Sequence, residues 1–154
     1  MRISTGSDHR GLALKAELVP LLKRWGHEVT DEGPHAAGSV DYPDYAKIVA
    51  GKVSRGEVDR GILVCGSGVG MAITANKFPG VRSTIVPNEK VARLCVEHNN
   101  VNVLALSEEQ IKEFPALVKA WLEAKFEGGR HATRVDKISA CERADDASAV
   151  LPKE

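Results

Sequence analysis

Cys65 closes the apolar run Gly61-Ile-Leu-Val-Cys65 and opens the segment Cys65-Gly-Ser-Gly-Val-Gly70. Glycines at alternate positions let successive backbone N–H groups converge on one point, and a helix starting there adds its positive end. Gly66, Gly68, Val69 and Gly70, with the hydroxyl of Ser67, would then form a nest for an oxyanion or a phosphate. A sulfur beside such a helix start is held where the thiolate is favoured. The same residues also suit a tight strand-to-helix turn that carries an inert, apolar cysteine. The spacing is neither the GxGxxG of a dinucleotide site nor the Lys-Ser/Thr ending of a P-loop.

Three other groups carry usable chemistry. Ser7, Asp8 and His9 follow the first apolar run, where Ser-Asp also suits an Asx-type cap. His98-Asn99-Asn100 stands between a helical segment and a strand, a place where a helix C-cap also uses histidine and asparagine. Arg130 and Arg134 follow Gly128-Gly129 and lie four apart, on one helix face. Such a pair is either a solvated basic face or a grip for a phosphomonoester. The five histidines are scattered and no HExxH occurs, so no metal site is expected.

Alternating elements must position these groups. Strands are expected at Arg2–Ser7, His27–Asp31, Gly61–Cys65, Val81–Val86 and Val101–Leu106. Between them run helical patterns: Leu14 to Trp25, a helix opening at Pro43 with Tyr45, Ile48, Val49 and Val53 on one face, and one from the glycine turn to Phe78. Asn88 caps a fourth helix carrying Val91, Leu94, Cys95 and His98. Ser107-Glu-Glu-Gln110 is a capping box for a fifth, which Pro115 kinks or restarts. A last helix runs from about His131 to Ala144. Strands alternating with helices imply a three-layer α/β/α, Rossmann-like fold on a five-stranded parallel sheet, with ligands beyond the carboxyl ends of the strands. Residues 1–144 read as one domain and 145–154 as a frayed tail.

Composition narrows the partners. Lys+Arg and Asp+Glu number 21 each, so bulk charge holds neither nucleic acid nor an anionic membrane. Aromatic residues make up 5%, too few for base-stacking platforms. No apolar stretch approaches a membrane span, and the opening residues lack a signal-peptide core. Three cysteines, none in CxxC, read as reduced thiols, and a cytoplasmic location is expected.

Six segments in register, from about residue 2 to 140, together resemble the type B ribose-5-phosphate isomerase family, which includes galactose- and allose-phosphate isomerases. They are Gly6-Ser-Asp-His9, Asp41-Tyr-Pro-Asp-Tyr-Ala46, Cys65-Gly-Ser-Gly-Val-Gly70, Ala75-Asn-Lys77, Glu97-His-Asn-Asn100 with Asn102-Val-Leu-Ala105, and Glu127-Gly-Gly-Arg-His131 with Arg134. The resemblance implies that Cys65 is the base moving a proton between C1 and C2 of a phosphorylated sugar. It makes Ser67 and the Gly66–Gly70 amides the enediolate cradle, His98 the ring-opening group and Asn99 a ligand of the reacting oxygens. Asp8 and His9 would meet sugar hydroxyls and phosphate, and Arg130 and Arg134 would hold the phosphate. It further implies a homodimer or larger, with one group of these residues supplied by the neighbouring subunit, and no cofactor.

Two positions depart from that pattern. Relatives often have LALG and then a basic residue two positions on, where this chain has Leu104-Ala-Leu-Ser107 and Glu109. Pro34-His35 stands where relatives often have threonine. The expected substrate is ribose 5-phosphate. The alternatives are a four- or six-carbon aldose phosphate, a non-catalytic phospho-sugar sensor and a flavodoxin-like redox module.

Overall fold

The computed structural model describes residues 1–142. The expected tail, 145–154, and the end of the last expected helix lie outside the described residues. Five strands, β1 (Arg2–Ser7), β2 (Glu28–Asp31), β3 (Arg60–Cys65), β4 (Ser83–Ile85) and β5 (Val103–Ser107), pair in parallel in the order β2-β1-β3-β5-β4. The helices are α1 (Leu12–Arg24), α2 (Tyr42–Ser54), α3 (Val69–Ala75), α4 (Glu89–Asn99), α5 (Phe114–Glu123) and α6 (Arg130–Cys141).

Strand alternation divides the core in two. Ile62 and Val64 of β3 face a cluster with Leu14, Leu18 and Leu22 of α1 and with α4 and α5. Leu63 and Cys65 face the other side, with Ala46, Val49 and Ala50 of α2 and Met71 of α3. Burial on both faces is what the uninterrupted apolar run of β3 requires. The chain is therefore α/β, with helices on both sides of the five-stranded parallel sheet. Among the described residues no helix is long and apolar enough to cross a membrane.

Local chemistry shifts several expected boundaries. α3 stops at Ala75 rather than Phe78, because the Asn76 side chain turns aside to bond both the N–H and the C=O of Ser83, at 2.7 and 2.9 Å. The Ser107–Gln110 capping box forms, but it closes only the 3₁₀ turn Glu108–Ile111. α5 then starts at Phe114 with Pro115 in its first turn, where a missing N–H costs no helical bond. Asn88 caps α4 by accepting from Val91 N–H at 2.9 Å. On α2, Ile48 is exposed and Ala46 and Ala50 take the inward face.

Neighbouring strands β1 and β3 feed helices on opposite faces of the sheet, α1 toward β2 and α3 toward β4. The loops after them part and leave a crevice at the carboxyl edge, the usual ligand position in such sheets.

Candidate active site

The crevice places Asp8, His9, Cys65, Ser67 and the glycine turn together. Cys65 is 5% exposed, and its Sγ accepts a hydrogen bond from Gly68 N–H at 3.2 Å. That bond requires Gly68 at φ 78°, a left-handed backbone that favours glycine. Ser67 Oγ accepts from Val69 N–H at 3.3 Å. A Cβ on Gly70 would lie 2.5 Å from the Tyr42 ring, so the absent side chain is where that ring packs. α3 is seven residues long, so the anion-holding capacity rests on the loop's own N–H groups more than on a macrodipole.

Asp8 is buried and spends one oxygen on its own turn, accepting from Arg10 N–H at 2.9 Å and Gly11 N–H at 3.0 Å. The second oxygen makes no protein hydrogen bond among the described residues. Nδ1 of His9 lies 3.2 Å from the Val40 carbonyl and 3.3 Å from its N–H, and bonds one or the other according to tautomer. The histidine thus pins the loop before α2. Lys15, nearly fully buried, holds the start of that loop by pairing with Asp31 and donating to the Pro34 carbonyl at 3.0 Å.

His98, Asn99, Arg130 and Arg134 stand elsewhere. α4 returns from the carboxyl end of β4 to the amino end of β5, so His98 and Asn99, near its C-terminus, lie at the amino edge of the sheet. Asn100 ends α4 as a left-handed cap, φ 51°. α6 packs on this end: the His98 and His131 rings stack with centroids 4.2 Å apart and planes 7° from parallel. Glu127 N–H donates to the Glu97 carbonyl at 3.0 Å, and a Glu127 oxygen lies 3.5 Å from His131 Nε2. Burial, and then the neighbouring His98 and Arg130, lower the His131 pKa from its ordinary value. Arg130 and Arg134 are exposed beside this cluster. A cleft of about 820 Å³ opens next to His98 and Asn99, walled by Phe78, Val81, Leu94 and Ile138.

The expectation of no metal site rested on scattered histidines, yet the fold brings ligand atoms of His98, Glu127 and His131 within 4.8 Å of one another. Parallel rings send their in-plane lone pairs side by side rather than toward one point, which suits a stacked pair better than a chelate.

Arg10 escaped the sequence reading. Its Nε donates to Glu108 Oε1 at 2.8 Å and its Nη2 pairs with the same oxygen. A Cβ on Gly66 would meet the Arg10 guanidinium at 2.9 Å. Ser107, one of the departures, donates from Oγ to the Gly66 carbonyl at 2.7 Å. Glu109, the other, offers its N–H to Ser107 Oγ at 3.2 Å and its exposed side chain lies in the first turn of the 3₁₀ segment. His35 is exposed, 3.8 Å from Asp31.

Residues 3–138 match the family model described as Ribose/Galactose Isomerase. The chain is 45% identical over 144 residues to ribose-5-phosphate isomerase B of Escherichia coli (strain K12), covering 92% of this chain and 97% of that one. It superposes on ribose-5-phosphate isomerase B of Clostridium thermocellum with a TM-score of 0.91 and 49% identity, over 93% and 98% of the two chains. The Mycoplasma genitalium enzyme, solved with bound ribulose 5-phosphate, gives a TM-score of 0.89 at 44% identity over 92% and 96%. With the parallel sheet, the cysteine-led glycine turn and this coverage in agreement, the chain belongs to the ribose/galactose isomerase family.

Proposed function

We propose that this chain is an aldose–ketose isomerase interconverting ribose 5-phosphate and ribulose 5-phosphate, in a site shared between two copies of the chain. The observation that carries the chemistry is the Cys65 sulfur, bonded by Gly68 N–H at the head of the glycine turn. The reaction needs one base, a cradle for negative charge and an acid for the ring oxygen. His98 donates to the ring oxygen while a solvent water takes the C1 hydroxyl proton, and the furanose opens. The Cys65 thiolate then takes the C2 proton. Charge passes to the oxygens of a cis-enediolate, which the Gly66–Gly70 N–H groups and Ser67 receive while Asn99 orients them. The thiol returns the proton to C1, a proton passes from O2 to O1, and the ketose results. No redox partner enters this balance.

The placement of these residues supports the shared site. Cys65 and His98 belong to opposite edges of one sheet, so one chain does not bring them to one substrate. A second copy does so if its amino-edge cluster, with Arg130 and Arg134, sits over the first copy's crevice. Exposed apolar residues favour this. Val69 and Ile73 lie one turn apart on α3, at 45% and 57% exposure, and Ile85 is beside them. His9 and the two arginines then meet the phosphate, and Asp8 offers its free oxygen to a sugar hydroxyl.

Incubating the protein with ribose 5-phosphate in D2O tests the reading by NMR: C2–H should exchange and ribulose 5-phosphate should appear. Exchange with a four- or six-carbon aldose phosphate instead moves the substrate and keeps the chemistry. No exchange with any member of the panel refutes the isomerase.

A further inference from the structure

We infer that Arg10 is a ligand for the phosphoryl group of the substrate and that Glu108 occupies its donors until substrate arrives. This rests on the isomerase reading above. The guanidinium lies against Gly66, the first residue of the nest and the neighbour of Cys65; Cζ and Nη1 are both 2.9 Å from where a Cβ would stand. A side chain at position 66 would displace it.

Among the described residues, two of the five guanidinium N–H groups go to one oxygen of Glu108, leaving three, including both on Nη1 against the nest. The backbone that launches Arg10 is fixed by Asp8, which accepts its N–H at 2.9 Å. Glu108 follows Ser107, which is itself tied to the Gly66 carbonyl. The loops after β1, β3 and β5 therefore converge on this guanidinium. The ion pair is exposed, with Arg10 side-chain exposure at 58% and Glu108 at 30%, so it holds the arginine only weakly. A phosphate dianion offers the same charge-assisted geometry with more oxygens and can take the carboxylate's place. The Glu108 carboxylate is then an internal competitor.

A purely structural ion pair predicts that removing either partner acts in the same direction. A competitor predicts opposite directions. Steady-state kinetics of Arg10→Met and Glu108→Gln should separate the two, with inorganic phosphate as inhibitor. For Arg10→Met, the KM for ribose 5-phosphate and the inhibition constant of phosphate should both rise about tenfold, with kcat held within about twofold. Arg10→Lys keeps the charge without the fork and serves if the methionine variant does not fold. Its rise should be smaller. Glu108→Gln should lower both constants. The inference is overturned if Arg10 variants leave both constants unchanged, if they reduce kcat alone, as contact with the enediolate would, or if Glu108→Gln moves KM the same way as Arg10→Met. A wild type that binds phosphate through Arg10, read by NMR titration, but does not turn over sugar refutes the isomerase reading and retains the ligand. A wild type that turns over with Arg10-independent constants does the reverse.

Discussion

Mixing two dead variants gives the sharpest test of a site shared between chains. α4 has eleven residues, and at about 1.5 Å per residue its C-terminus lies roughly 16 Å along the axis from its start at the carboxyl edge. An aldose phosphate does not reach from Cys65 to His98 of the same chain across that thickness. Cys65→Ala and His98→Ala are each expected to be inactive. In a two-fold dimer of the two variants, one site combines both lesions and the other combines intact Cys65 from one chain with intact His98 from the other. Random reassociation of equal amounts makes about half the dimers mixed, each with one working site of two, so activity should recover to about one quarter of wild type. Heterodimers isolated through two different affinity tags should show about half. The readout is ribulose 5-phosphate formation after the chains are separated and reassembled. If tagged heterodimers stay at the parental background, both residues do not serve one site from different chains, and the shared site is wrong.

The other predictions concern single residues. Cys65→Ala should remove most turnover with the fold kept, whereas Cys95→Ala should stay active; burial pushes the Cys95 thiol up to about 11, so it should also be the last to react with a maleimide, after exposed Cys141. Arg130→Ala or Arg134→Ala should raise KM roughly ten- to a hundredfold, at about 1.4 kcal/mol per tenfold, and unphosphorylated ribose should be a very poor substrate. Gly11→Ala puts a Cβ 2.5 Å from the Val64 carbonyl oxygen, backbone that cannot swing aside. A loss of about 1–3 kcal/mol should appear in thermal melting as several degrees. His131 is held below its ordinary value of 6.5, so between the two values the unfolded chain binds more protons than the folded one, and acidification through that window destabilises the protein. Urea midpoints should fall as pH drops from about 7.5 to about 5 and fall less in His131→Gln; an unchanged slope would place the proton uptake elsewhere.

Strand order aside, the sheet was legible because each strand carries its own signal. β3 is a bare apolar run, Asn88 a cap, and Ser107-Glu-Glu-Gln110 a capping box that forms even though it closes only a 3₁₀ turn, with Pro115 opening the helix that follows. Which residues meet across the fold was less legible. Arg10 and Glu108 are 98 residues apart, and nothing local to either marks the other. His131 on His98 was hidden in the same way. The edge on which His98 lies could have been found: a residue between the fourth helix and the fifth strand precedes a strand, and in a parallel sheet that is the edge opposite Cys65. Asp8 was legible in both its readings, and the structure shows the capping one in use by one of its two oxygens.

The burial of Cys65 restricts what else could do its work. The residue belongs to the packed cluster with Leu63, Met71, Val103 and Ala105, and its sulfur accepts the Gly68 N–H of the glycine turn. A substituent there must be no larger than a few heavy atoms. Glutamate and histidine, the commoner carriers of a proton between carbons, would overfill that space at a cost of about 1–3 kcal/mol or more. Alanine, serine, threonine and valine fit that space but hold no group that ionises near neutral pH. On the proposed mechanism, the volume of the core favours a thiol over the larger bases at this position, and replacing Cys65 by alanine, serine, threonine or valine leaves no base there.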